Sequence, residues 1–370
     1  MNELDNARRD INEIDAEMAK LFERRMKASV AVAEYKKAHG LSIKDEDRER
    51  EVIEKNRSLL SDSSLESYYV RFLKNNMSLS CEYQSRLING LRVTYCGTEG
   101  AFGYIAAKRM FPEATLTAFR DFKSAYEAVE SGEYDCAVLP LENSTEGEVG
   151  EVMDLIFGGN LYINQVIDLP VTHDLIACPG ADMTTIKKVV SHPQALAQCG
   201  EYLRAHSLPT EAESNTAVAA KKLSESGDTS VAAIASAETA ELYGLKILDT
   251  AINDSKDNTT RFAAFSMAQN KPAGNTKRAD ENFILVFTVQ NEAGALAQTL
   301  NIIGAHGYNM RSLRSRPMRD LRWNYYFYIE AEGNINTQNG RDMLTELSAV
   351  CAKLRMAGSY YSKEVAKAIK

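Results

Sequence analysis

The chain is expected to be multidomain: an all-α segment, then an α/β segment, then a small α+β unit of ferredoxin-like order. Three observations predict this. Apolar residues recur at helical spacing through an opening stretch with no proline before Pro112. From Leu91 the pattern switches to short β-prone runs alternating with helical ones. A polar stretch with Pro and Gly, residues 268–282, then sets off a closing βαββαβ series. At 370 residues the chain exceeds one compact core, so several domains are the natural division.

In the first segment, residues 1–88, Leu4, Ala7, Ile11, Ile14, Met18 and Leu21 follow one another at steps of three and four and mark one face of a long helix. Gly40 ends it, and two further helices are expected over about 45–60 and 65–88. In the second segment, residues 91–268, strands are expected at 91–95, 135–139, 188–191, 231–234 and 260–267. Helices are expected near 101–110, 122–131, 194–205, 215–225 and 236–243, giving one or two mostly parallel sheets. In the third segment, residues 283–370, strands are expected at 283–289, 309–316 and 323–330 with a last short one, and helices at 295–306 and 337–354.

Composition narrows the function. A net charge of -8 opposes nucleic acid and anionic membranes, so an anionic substrate needs a local cluster of Arg and Lys. The start carries acid where a secretory signal carries base, and no apolar run is long enough to span a bilayer. Six scattered cysteines without a C-x-x-C pair, and five histidines, suggest neither disulfides nor a metal. A cytoplasmic enzyme without metal or other cofactor is expected.

Several charges fall where the helical stripe calls for apolar residues. The heptad from Leu4 next reaches Arg25; Arg8 lies at the edge of the stripe, and Lys36 on the side that Arg25 and Val32 define. Asp45, Arg48, Glu49 and Val52 share a face of the second helix. Ser80 and Gln84 sit among Leu73, Met77 and Leu87 on the third. Cations on a core stripe ask for an anionic partner, so these groups together describe a polar pocket inside a helical bundle.

This set resembles the all-helical chorismate mutase family, whose helices dimerise and supply Arg, Arg, Lys, Asp, Arg, Glu, Ser and Gln to the site. Arg8, Arg25, Lys36, Asp45, Arg48, Glu49, Ser80 and Gln84 match those positions without a gap. The resemblance implies that Arg8 from a partner chain, Arg25 and Arg48 hold carboxylates, and that Lys36 and Gln84 donate to the breaking ether oxygen. Glu49 would accept from the ring hydroxyl, with Asp45 and Ser80 as further polar wall. A Claisen rearrangement needs no nucleophile, only a compact substrate conformation and stabilisation of that oxygen.

In the α/β segment four motifs border strands: Gly97-Thr98-Glu99-Gly100-Ala101-Phe102-Gly103, Pro140-Leu141-Glu142-Asn143-Ser144, Ser191-His192-Pro193-Gln194 and Thr259-Thr260-Arg261-Phe262. Glycine turns and helix caps offer free N–H groups to carboxylates. His192 reads as structural, with no nucleophile and acid partner around it. Jointly the motifs resemble the prephenate dehydratase family, a domain of two α/β lobes around a cleft, like a periplasmic binding protein. Gly103 stands where that family usually has a hydroxyl residue. The resemblance gives Thr260 the role of donor to the departing hydroxyl, polarised by Glu142, Asn143 or water. Arg261, Ser191 and Gln194 are candidates for anchoring the substrate.

The closing βαββαβ unit resembles an ACT regulatory domain, which in such enzymes binds phenylalanine. Gly294-Ala295-Leu296-Ala297 stands for the usual G-A-L-V, and Arg314-Ser315-Arg316-Pro317 for the usual E-S-R-P with one charge reversed. Gly294, Ala295, Leu296, Ser315 and Arg316 are therefore the expected effector residues. Together the three segments resemble a bifunctional chorismate mutase/prephenate dehydratase, a homodimer or tetramer acting on chorismate and prephenate with phenylalanine as effector. Truncation after about Met267 is expected to keep some activity and lose the inhibition. The alternatives are a chain keeping one activity alone, or a two-lobed ligand sensor without catalysis.

Overall fold

The computed structural model describes residues 2–269, 281–318 and 324–361, in two compact units that meet between Arg92 and Val93. The first holds α1 (Glu3–His39), α2 (Glu46–Arg57) and α3 (Glu66–Asn89). Asn2 and Asp5 form a reciprocal capping box at the start of α1, and Gly40 ends it in the left-handed conformation. At 1.5 Å per residue α1 is about 55 Å long and α3 about 36 Å, so α1 outruns its neighbour. The stripe expected to be core is accordingly uncovered within one chain. Leu4, Ile11, Ile14, Met18 and Leu21 are between 42% and 60% exposed, while the buried residues of α1 are Ser29 and Ala33.

The second unit opens with a lobe made of β1 (Arg92–Cys96), α4 (Phe102–Met110), β2 (Thr115–Phe119), α5 (Phe122–Glu130), β3 (Cys136–Asn143), β4 (Gly147–Glu148), α6 (Gly150–Gly158) and β5 (Tyr162–Pro170). The chain then crosses into a second lobe: β6 (Asp174–Ala177), β7 (Lys188–Ser191), α7 (Pro193–Gln198), α8 (Gly200–Ala205), β8 (Thr210–Ala212), α9 (Thr216–Ser226), β9 (Val231–Ala235), α10 (Ala237–Leu242) and β10 (Lys246–Asp249). It returns through β11 (Thr259–Ser266), inserted between β5 and β3.

That double crossing corrects the expectation of mostly parallel sheets. β1 pairs β3 in parallel, but the returning β11 runs antiparallel to both β3 and β5. In the second lobe β7 pairs β8 and β9 in parallel, whereas β6 runs against β9 and β10. β5, with Asn164, Gln165 and Asp168 interrupting its apolar positions, gives a weak periodic signal and is absent from the expected strands.

The third segment is β12 (Glu281–Thr288), α11 (Ala295–Ala305), β13 (Asn309–Pro317), β14 (Tyr325–Glu332), α12 (Gln338–Val350) and β15 (Lys353–Tyr361). The last strand has nine residues rather than being short. The antiparallel order β13-β14-β12-β15 is ferredoxin-like, and β15 joins β5 through the pair Gly358–Ile163, making one continuous sheet. A Cβ at Gly358 would fall 2.1 Å from the Ile163 carbonyl oxygen, so this junction requires glycine. α11 and α12 cover one face of that sheet. From the other, Ile284, Val286, Tyr328, Ala357 and Tyr360 enter the same core as Met153, Ile156 and Phe265 of the first lobe. Truncation after Met267 would therefore open the dehydratase core, and a soluble active remnant is not expected. Of the 268–282 linker, positions 270–280 lie outside the described residues, as does Trp323 of the expected 323–330 strand.

Candidate active sites

Two sites are built on these units. In the helical one, α3 buries Met77, Ser80 and Gln84 at helical spacing. Arg25 from α1 reaches across to the Ser80 hydroxyl and donates to the Asn76 carbonyl at 3.0 Å. The Gln84 side-chain oxygen is buried with no partner among the described residues. Lys36 donates to the Ile43 carbonyl in the turn after α1. Burial pushes the Cys81 thiol up; Glu49 adds to the shift while Lys36, Lys44 and Arg25 oppose it, which places those charges around one stretch of α3.

The remaining candidates are elsewhere. Asp45 caps α2, accepting the Arg48 N–H at 3.0 Å, and Arg48 pairs with Glu51 at 2.5 Å on an exposed face. Arg8 is exposed on the uncovered reach of α1. One chain thus gathers Arg25, Lys36, Glu49, Ser80 and Gln84, and leaves Arg8 and Arg48 facing outward.

In the two-lobed unit a cavity of about 310 Å³ lies between the lobes, lined among others by Phe102, Asn143, His173, Gln194, Asn215 and Thr260. Elsewhere the lobes are bridged by Thr239 Oγ1 donating to the Gly100 carbonyl at 2.7 Å and by Tyr243 Oη donating to that of Glu99 at 2.8 Å. Thr260 and Asn143 stand opposite each other on adjacent strands. The Asn143 amide donates to Thr260 Oγ1 at 2.9 Å and to Asn258 Oδ1 at 2.7 Å, and its oxygen accepts the N–H groups of Thr145 and Glu146. With that amide held on both sides, one lone pair of the hydroxyl is occupied, and among the described residues its hydrogen has no acceptor and can serve a ligand.

Period-two alternation sends the neighbours of this pair the other way. Arg261 and Glu142 lie on the back of the sheet, not on the cavity. Arg261 grips Glu330 of β14 with two bonds of 3.1 Å, donates to Tyr360 at 2.9 Å, and lies 3.6 Å from Glu142 and 3.3 Å from Asp168. Burial works against its charge, but Tyr360 and Glu330 outweigh it and raise its pKa above the ordinary value. Ser191 is fully buried and donates to the Ile234 carbonyl at 2.7 Å, a bond that ties two strands of the second lobe. So of the expected anchors Gln194 alone lines the cavity, and Asn143, not Glu142, is the group that touches Thr260. His192 caps α7, accepting the Gln194 N–H at 3.3 Å, and also lines the cavity.

Asn215, Asn258 and His173 line it without having been singled out from sequence. Asn215 had a signal, an Asn before a helix, and it caps α9. Gly103 is explained by packing: a Cβ there would meet the Cys96 carbonyl oxygen of β1 at 2.8 Å, so α4 rests on β1 where a hydroxyl side chain has no room.

In the regulatory sheet Gly294 caps α11 with φ of 87°, a conformation that favours glycine, and Ala295 and Leu296 form the first turn. Ser315 is exposed on the edge strand β13. Arg316 instead pairs with Glu148 at 2.9 Å and Asp154 at 3.2 Å in the first lobe, and Arg314 pairs with Glu142.

Comparison with known proteins bears on all three segments. Residues 7–85 match chorismate mutase type II, residues 93–270 prephenate dehydratase, and residues 283–346 the ACT domain. The chain is 31% identical to the bifunctional chorismate mutase/prephenate dehydratase of Aquifex aeolicus, over 97% of this chain and 98% of that one. It is 35% identical to arogenate dehydratase/prephenate dehydratase 2, chloroplastic, of Arabidopsis thaliana, over 73% of this chain and 72% of that one. The structure of prephenate dehydratase from Arthrobacter aurescens in complex with L-Phe matches with a TM-score of 0.66 at 30% identity, covering 74% of this chain and 91% of that one.

Proposed function

The chain belongs to the family of bifunctional chorismate mutase/prephenate dehydratases, and from that premise we propose how its residues divide the work. The helical unit rearranges chorismate to prephenate, and the two-lobed unit converts prephenate to phenylpyruvate. The observation that carries the second assignment is the Thr260 hydroxyl, held by Asn143 at the wall of the cavity between the lobes with its hydrogen unspent. Loss of CO2 and hydroxide makes the ring aromatic, so the protein has to hold the substrate and stabilise the departing oxygen. Thr260 serves that oxygen, Asn143 orients Thr260, and Gln194 with the N–H groups bordering the cleft holds the carboxylate that stays. Purified protein given chorismate should release phenylpyruvate; accumulation of prephenate alone would leave only the mutase standing.

In the helical unit Arg25 and Gln84 form the inner wall, Lys36 and Gln84 serve the ether oxygen, and Glu49 the ring hydroxyl. Arg8 enters from a second chain, which the uncovered stripe of α1 supports: its apolar side chains need a partner, and Arg8 lies beside them. A homodimer through α1 follows. Leu21→Glu is expected to shift the chain toward monomer in size-exclusion chromatography and to remove most mutase activity. A dimeric variant with full activity would place the interface elsewhere. The six cysteines, all free, fit the cytoplasm.

Phenylalanine is the effector of the ACT unit, held by the backbone around Gly294, Ala295 and Leu296 and by Ser315. Arg314 and Arg316 turn toward the dehydratase instead. Glu142 and Arg261, back to back with Asn143 and Thr260, accept that contact, so a shift of β13 reaches the donor through two strands. Arg314→Ala is expected to raise the phenylalanine concentration for half-inhibition about fivefold or more, within the usual range of coupling energies. Unchanged inhibition would mean the coupling runs by another route.

A further inference from the structure

The dehydratase half consumes a proton. Prephenate enters as a dianion and leaves as a monoanion, CO2 and water, so one proton must reach the departing oxygen. Threonine is too weak an acid to be its net source. Among the described residues lining the cavity, the two imidazoles are His173 and His192. His192 spends Nδ1 on the cap of α7. His173 is 2% exposed; its Nε2 lies 2.9 Å from Gln198 Oε1, and its Nδ1 is buried without a partner among the described residues. With Nε2–H given to Gln198, Nδ1 is the free position, and it carries a hydrogen when the ring is charged.

The ring is also fixed in place. The His173 N–H donates to Asn253 Oδ1 at 2.7 Å, its carbonyl accepts from Ile252 at 2.8 Å, and Phe102 meets the ring edge-on at 5.9 Å. These contacts hold the imidazole where the chain crosses between lobes. They explain its position and leave Nδ1 unexplained.

We propose that His173 is the general acid of the dehydratase, delivering the Nδ1 proton to the ring hydroxyl as its C–O bond breaks. The electron pair of the bond to the departing carboxylate becomes the new ring π bond. The C–O pair leaves with oxygen, which takes the His173 proton and departs as water, while Thr260 hydrogen-bonds the developing charge. Neutral His173 then regains a proton from solvent. The inference rests on the dehydratase reading of this cavity.

Burial holds the His173 imidazole below its ordinary value, with the Gln198 bond and the Asp174 charge opposing. The groups facing it are Gln198 of α7 and Phe102 of α4, both neutral, Asn253 of the crossing segment, Asp174 beside it in the chain, and His192 on the same cavity. A bound dianion favours the imidazolium, so substrate charges its own acid. kcat/KM should fall as pH rises through the free-enzyme value, and kcat should fall along a limb displaced to higher pH.

The test is the pH profile of prephenate turnover by the full chain. His173→Gln is expected to lower kcat about 10²–10³-fold and to abolish the limb. Gln198→Glu puts a carboxylate on Nε2 and is expected to move the limb up by about one pH unit or more. A limb that stays put in Gln198→Glu overturns the proposal even if His173→Gln fails to fold. So does a folded His173→Gln protein that keeps the limb or a kcat within about threefold of wild type. A wild-type chain that leaves prephenate unchanged overturns the dehydratase reading as well.

Discussion

Thr260→Ala is expected to lower the dehydratase kcat about 10²–10³-fold, the usual cost of removing a donor aimed at developing charge. The mutase rate should be unchanged, because the helical segment is a compact unit of its own. Thr260 sits at the start of β11, hydrogen-bonded to an Asn143 whose other bonds keep it in place. Removing the hydroxyl leaves that frame standing and takes away only the free hydrogen. The loss should therefore appear in kcat more than in KM, with normal thermal unfolding. A mutant that dehydrates prephenate at near the wild-type rate would show that the oxygen is served by another group.

Lys36→Ala is expected to cost the mutase a similar factor, about 10²–10³, and to spare dehydration of supplied prephenate. A cation placed at the ether oxygen acts on charge that grows only as the bond breaks, so the effect belongs in kcat. Lys36 donates to the Ile43 carbonyl, a bond that substrate would have to replace. That contact supplies the alternative outcome. Equal loss of both activities, or a lowered melting temperature, would make Lys36 a clasp for the turn between α1 and α2 rather than a group of the site.

The back of the dehydratase sheet shows how far the motifs alone could reach. Thr259-Thr260-Arg261-Phe262 and Pro140-Leu141-Glu142-Asn143-Ser144 were legible as functional, and strict alternation already separated Thr260 from Arg261 and Glu142 from Asn143. Which member of each pair faces the cleft was not legible, because polar side chains find partners on both faces here, the cavity for Asn143 and Thr260, and Arg314 and Glu330 for Glu142 and Arg261. The unbroken apolar run Phe283-Ile284-Leu285-Val286-Phe287 carried the matching signal, since a strand without polar alternation is covered on both sides. Arg314 follows from the same arrangement: its reversed charge answers Glu142, a residue far away in the chain.

The sequence by itself determined the periodic and local features: three helices from apolar spacing, the ferredoxin-like order, the cap residues, and the motifs that border strands. These depend on neighbours within a few residues, which a single chain displays directly. Only the tertiary structure decided the long-range ones. The return of β11 between β5 and β3 makes the sheet mixed. The carbonyl of Cys96 denies Gly103 a side chain. The length of α1 leaves its stripe uncovered within one chain. His173 becomes a buried group with a free nitrogen only when Gln198, Asn253 and Phe102 close around it. Each of these is settled by which distant segments share a space, and chain order does not record that.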